Sequence, residues 1–182
     1  MNIILDLMGS TIIGGLIAIM LMNFSIFQTN TSFSSDSELQ MQQNAKTLAE
    51  ILNYDLRKIG YRYDNTAFIE ADSEKISFYS DIDRNGSVDI VTYMIGDTSE
   101  VTATTNPNDR ILYRIVNNDT SKGPSLGLTK AKFSYLTGNG SETSVLSSIQ
   151  YVRAELWIET IEPVNGEYPF TYWEITINPR NL

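Results

Sequence analysis

Sixteen consecutive residues, Leu7 to Met22 (LMGSTIIGGLIAIMLM), carry no charge. Ile3, Ile4 and Leu5 extend the run backward across one acid, Asp6, and Phe24, Ile26 and Phe27 extend it forward. A helix crossing the hydrocarbon of a bilayer needs about 20 residues, and Ile3 to Met22 meets that length. A terminal helix apolar on all sides is a poor fit to the core of a 182-residue soluble domain. A cleaved secretory signal starts with basic residues and ends at a small-x-small site. Here no Lys or Arg occurs before Lys46, and no such site follows the apolar run. Residues 1–27 are therefore expected to sit in a membrane, or in an equally apolar environment, as a helix. The positive-inside rule does not orient it, because the flanks have no positive charge to compare.

Two details exceed what a plain anchor requires. Ser10, Gly14 and Ala18 form a small-xxx-small series, with Thr11 and Gly15 beside it. Such series let helices approach closely in a membrane, although glycine is also common in isolated membrane helices. Asp6 is the second detail. A carboxylate in hydrocarbon costs roughly 2.5–3.5 kcal/mol on insertion scales, which calls for a partner. The alternative is that Asp6 lies at the interface and complements the positive end of the helix dipole.

Gln28 to Ser37 is polar, either a loosened linker or a weak continuation of the helix. Beyond it, Met41, Ala45, Leu48, Leu52 and Ile59 recur near helical spacing, with Ile51 and Leu56 widening the stripe. Gly60 supplies a stop. Residues 28–60 thus read as an amphipathic extension, and an unbroken helix from Ile3 to Gly60 would be about 87 Å long. The extension needs a surface to pack on. From Thr66 the period changes to two. Ile76 and Phe78 share a face, as do Val88 and Ile90, and Ile111, Tyr113 and Ile115. The same holds for Val152, Ala154, Leu156 and Ile158, and Phe170, Tyr172 and Glu174 alternate with Thr171, Trp173 and Ile175. Asn-Gly pairs at Asn85, Asn139 and Asn165 suit tight hairpins. Residues 61–182 are expected to form one antiparallel β-sheet domain of an α+β fold, one face covered by the helix and the other solvated.

Composition removes several chemistries. The chain has no Cys and no His, so disulfides, thiolate catalysis and imidazole-based sites are excluded. A net charge of −9 argues against nucleic acid as a partner. No phosphate loop, nucleotide fingerprint or nucleophile elbow occurs. Arg57, Lys58 and Arg62 cluster where cations complement a helix end. Trp157 and Trp173 fall in separate strand patterns, as core or interface residues. Asp81, Asp83, Asn85, Gly86 and Asp89 match positions 1, 3, 5, 6 and 9 of a calcium loop. Position 12 should be Glu and is Thr92, and the flanks read as strands. A hairpin turn is the better reading of this stretch, with a weak calcium site of different geometry as the alternative and no other cofactor expected.

The order of these segments, with several local motifs, resembles the type IV pilin and pseudopilin superfamily, in particular PilW-like (or GspJ-like) minor pilins. Tyr54-Asp55-Leu56-Arg57-Lys58-Ile59-Gly60-Tyr61-Arg62 is similar to the helix end of that group. SDIDRNGSVDIVTYMI followed by ILYRIVNN resembles its hairpin region. AKFSYLTGNG with SIQYVRAELWIET resembles its later strands, and NPRNL its terminus. The resemblance spans nearly the whole chain. It implies a pilin-like fold and a non-catalytic structural subunit. Such a subunit is held in the inner membrane, contacts the assembly platform there, and is built with other pilin subunits into an extracytoplasmic or cell-surface filament. It also implies an acid at the fifth mature position that pairs with a neighbour's N-terminal amine. Removal of Met1 would make Asp6 that residue and Asn2 the terminus, with Ser10, Gly14 and Ala18 as the close-packing face. The sequence departs from the pattern in having Asp for Glu and no basic leader ending in Gly. A different class of protein shares the same segments: a monomeric, single-pass anchored β-sheet module that binds a ligand outside the membrane. An anchored enzyme is a third class, for which no motif speaks.

Overall fold

A computed structural model describes residues 3–102, 104–123 and 127–182. One helix, α1 (Ile3–Leu56), runs unbroken for 54 residues, about 81 Å. The polar stretch at 28–37 continues it rather than loosening it. There the hydroxyls of Thr29 and Thr31 donate to the carbonyls of Ser25 and Phe27, each at 2.9 Å. Local bonds of this type satisfy side chains that would otherwise compete with the helical backbone.

The helix has two environments. Met41, Ala45, Leu48, Ala49, Leu52 and Leu56 are buried in the core, whereas the large apolar side chains described between Ile3 and Phe27 are exposed. The predicted stripe is thus confirmed from Met41 to Leu56, but Ile51 faces outward. The helix ends at Leu56, four residues before the expected stop. Residues 57–62 form tight turns, including Lys58 N–H to Asp55 O and Tyr61 N–H to Lys58 O. Gly60 then adopts φ +76°, and a Cβ there would lie 2.6 Å from the carbonyl oxygen of Asn181. Only glycine allows the C-terminal segment to seat this closely.

The rest forms two antiparallel sheets, where the sequence pattern suggested one. The strands β1 (Phe68–Ala71), β2 (Lys75–Ser80), β3 (Asp89–Ile95), β4 (Leu112–Val116) and β5 (Asp119–Lys122) form a meander in that order. The second sheet is β6 (Leu128–Leu136), β7 (Tyr151–Glu159) and β8 (Phe170–Ile177). Backbone contacts join the sheets: Phe133 N–H donates to Ser73 O, and Arg110 N–H to Leu128 O. One continuous core lies between them and α1, containing Phe78, Val91 and Tyr93 of the first sheet and Phe133, Val152, Leu156 and Ile158 of the second. Alternation cannot reveal such a division, because both sheets turn an apolar face to the same interior.

Two strand faces differ from expectation. On β3 the inward residues are Asp89, Val91 and Tyr93, while Ile90 is exposed. On β4 the pairing of Val91 with Val116 and Tyr93 with Arg114 puts Leu112, Arg114 and Val116 on the inner face. Tyr113 and Ile115 are therefore on the other face and only half-buried, while Ile111, just before the strand, is buried. Hydrophobicity misleads here because the inner face carries an ion pair, described below.

The hairpins also redistribute. Asn165-Gly166 is a two-residue turn with φ +53° and +84°, closed by a Val164–Glu167 bridge. Asn85 and Asn139 lie in longer loops and do not adopt positive φ. Among the described residues, a second two-residue turn of positive φ is Asn117-Asn118 (φ 49° and 75°), between β4 and β5. Asparagine tolerates this conformation, so the pair substitutes for Asn-Gly.

Candidate functional site

The uncovered half of α1 is the first candidate. A Cβ added at Gly9, Gly14 or Gly15 would meet no other atom within 4 Å, so this surface is open on the chain itself. Asp6, Ser10, Gly14 and Ala18 are spaced by four and form one ridge along the helix. The ridge starts with an acid and continues with small side chains. Asp6 is exposed in the first turn. Asn2, its companion in the sequence reading, lies outside the described residues. The polar side chains here are internally satisfied: Ser10 Oγ donates to Leu7 O at 2.9 Å, and Thr11 Oγ1 contacts Leu7 O and Met8 O. Hydroxyls bonded to their own helix are compatible with hydrocarbon surroundings. The helix is long and apolar enough to cross a membrane, and its most apolar stretch is wholly unburied.

The second candidate is the acidic turn between β2 and β3. Asp81 and Asp89 are buried and Asp83 is exposed, and their carboxylates offer oxygens that all lie within 4.8 Å of one another. Local geometry explains the arrangement. Asp83 accepts from the backbone and side chain of Asn85, and Asn85 Oδ1 accepts from Ser87 N–H. Asp81 Oδ2 accepts from Gly86 N–H at 3.1 Å and from Arg62 Nη1 at 3.0 Å. Asp89 accepts from Ile82 N–H and, at 2.5 Å, from Asn117 Nδ2. The turn is thus tied to the helix end by Arg62 and to the β4–β5 turn by Asn117, neither of which the sequence pattern connected to it. Thr92, the twelfth position of the loop pattern, lies on β3 and its hydroxyl meets Ser77 Oγ at 2.8 Å. The basic cluster at the helix end is divided among separate partners: Arg57 bonds Asn53, Lys58 bonds Ile82 O and stands over the Tyr54 ring, and Arg62 serves the turn.

A third polar locality carried no motif. Asp109 is buried, and neither of its carboxylate oxygens has a hydrogen-bond partner among the described residues. Burial pushes its carboxyl above the usual range, the Thr104 hydroxyl beside it pulls it down, and the charge of Glu159 raises it further. Asn106 Nδ2 clasps Glu159 Oε2 at 2.8 Å and Thr160 O at 3.1 Å, fixing this loop against the end of β7.

The tryptophans are not core residues. Trp157 lies on the outer face of the second sheet under Lys130 and beside Tyr172, and Trp173 is exposed on β8.

No protein-family model, no curated protein and no solved structure matches this chain.

Proposed function

We propose that this chain is a non-catalytic structural subunit of a type IV pilin-like or pseudopilin filament, assembled through the N-terminal half of α1. The observation that carries this reading is the division of one unbroken helix. Its second half is locked into the core of a folded domain, while its first half leaves its apolar side chains uncovered. Before assembly those side chains are covered by membrane lipid at the inner-membrane assembly platform. In the filament they are covered by the helices of other subunits. The ridge of Ser10, Gly14 and Ala18 lets a neighbouring helix approach closely. Asp6 at its end provides the negative charge for a neighbour's N-terminal amine. Each of those charges is costly alone in an apolar environment, and each neutralises the other across the subunit boundary.

The test is incorporation into sheared cell-surface filaments. Asp6→Ala leaves membrane insertion intact and blocks incorporation; equal incorporation of the variant removes the assembly role of Asp6. A second exchange separates this reading from that of an anchored monomeric binding module. Replacing residues 3–27 by an unrelated apolar helix abolishes function in a filament subunit and preserves it in a tethered module.

A further inference from the structure

We propose that the cavity where α1 leaves the folded domain receives Arg57 of a second copy of this chain. This rests on the chain being an assembling subunit and names a contact within that assembly. The cavity, about 270 Å³, lies between one face of α1, including Ser37, Met41 and Asn44, and the residues Thr160 to Glu162 that follow β7. Thr160 is only 3% exposed, and its hydroxyl has no hydrogen-bond partner among the described residues. It stands two residues after the buried Ile158, so its side chain is directed to the same side, toward α1 and the cavity. Glu162 is exposed at the rim and belongs to none of the ion pairs among the described residues. The carboxylate of Glu159 is met by the neutral amides of Asn106 and Asn108. No Lys or Arg lines the cavity. It therefore offers an unused acceptor in its wall and negative charge at its mouth, with no cation of its own.

Arg57 matches the cavity in charge and in place. It is exposed, its one side-chain bond is to the neutral Asn53, and it pairs with no carboxylate among the described residues. Its N–H still donates to Asn53 O, so it continues the path of the helix. At about 100° per residue, Arg57 lies on the side of α1 opposite Ser37, Met41 and Asn44, and about 24 Å further along from Met41. Two parallel copies at equal height cannot bring these groups together. A copy displaced along α1 by about that distance does, and it leaves one cavity and one Arg57 free for further copies. Such a contact is heterologous and continues into an open filament. It joins a different neighbour from the one whose N-terminus meets Asp6, which is displaced by only about one helical turn; a helical array supplies both. The guanidinium fork suits the Glu162 carboxylate and has N–H groups to spare for the Thr160 hydroxyl. A partly solvated pair of this kind sets register and rejects wrong neighbours more than it adds affinity.

The experiment expresses the full chain in cells and traps neighbouring copies through cysteines set beside the two partners, Tyr54→Cys and Pro163→Cys. The parent has no Cys, and both positions are exposed. Within one chain Tyr54 is about 20 Å along α1 from the cavity at Met41, beyond the span of a short bismaleimide, so every link joins two copies. The protein with both cysteines gives a ladder of multimers, and either cysteine alone gives nothing larger than a dimer. Adding Arg57→Glu, or Glu162→Arg, lowers the ladder about tenfold or more, and the two reversals together restore it. The Tm of each variant stays near that of the parent, because both side chains are exposed. Copies recovered from sheared filaments that give no ladder overturn this contact and leave the assembly reading standing. So does a ladder that the single reversals do not weaken, or that the double reversal does not restore. A ladder in membranes with no copies in sheared filaments keeps the contact and removes the filament. Absence of both removes both.

Discussion

Asp55, near the end of α1, accepts a 2.6 Å hydrogen bond from the hydroxyl of Tyr93 on β3. The same oxygen receives Arg114 Nε at 2.6 Å. Asp55 and Tyr93 are buried, so the contact joins the helix to the first sheet across the core. Burial, followed by the charge of Asp55, drives the Tyr93 hydroxyl far above its ordinary pKa. It therefore stays a proton donor throughout the physiological range.

Removing the shared acceptor is expected to be severe. Asp55→Ala leaves the Arg114 guanidinium and the Tyr93 hydroxyl without their partner, at a cost of about 3–5 kcal/mol. Tyr93→Phe removes one hydrogen bond and costs about 0.5–1.5 kcal/mol, or up to about 3 kcal/mol because the acceptor is charged. Denaturant unfolding of the single and double variants measures both. Tyr93→Phe and Arg114→Met should be non-additive, since they share one oxygen.

This ion pair also marks where sequence reading reached its limit. The helical spacing of Met41 to Leu56 and the alternation of Val152 to Ile158 were legible because apolar residues repeat along each buried face, with Asp55 the one acid on that of the helix. The inner face of β4 was not, because Arg114 occupies a core-facing position and Ile115 faces away. The partner that makes Arg114 tolerable there, Asp55, is 59 residues distant. Pairings of that range leave no local pattern. The acidic turn was half legible: spacing identified Asp81, Asp83 and Asp89, but not Arg62 or Asn117, which hold it from other elements.

Asn117 combines a strained backbone with two long-range bonds. Its Oδ1 accepts from Ile90 N–H at 2.9 Å, and its Nδ2 donates to Asp89. Asn117→Ala loses both bonds and keeps the positive φ, and should cost about 1–3 kcal/mol. Asn118→Gly, at φ 75°, should change stability by only a few tenths of a kcal/mol or raise it slightly. Thermal unfolding of the two variants side by side checks the contrast.

Asp109 makes a prediction in pH. Its folded-state pKa is raised, so between the unfolded value and the raised one the native state binds more protons. Stability from this group is then present at low pH and lost as pH rises through the folded pKa. Asp109→Asn removes that loss. The variant's Tm relative to the parent should improve as pH rises from the ordinary carboxylate range through the folded pKa, and then level off. A difference independent of pH would show that the carboxyl titrates alike in both states.

Gly60 tests the seat of the C-terminal segment. At φ +76°, with Asn181 O only 2.6 Å from a built Cβ, Gly60→Ala must displace Asn181 and strain the backbone. A loss of about 1–3 kcal/mol is expected. Protection of the last residues from hydrogen exchange should fall with it, while protection of β7 should not.

The uninterrupted course of α1 has a mechanical consequence. No glycine, proline or loop separates residues 28–40 from either neighbour, so the two halves are coupled as a stiff rod is to its handle. The part with no buried residue among those described, residues 3–40, makes a lever of about 57 Å, and a tilt of roughly 10° at the domain sweeps its tip sideways by about 10 Å. A displacement of that size is about one helix diameter. Force applied to the folded head therefore reaches the far end of the helix as a lateral shift against whatever surrounds it.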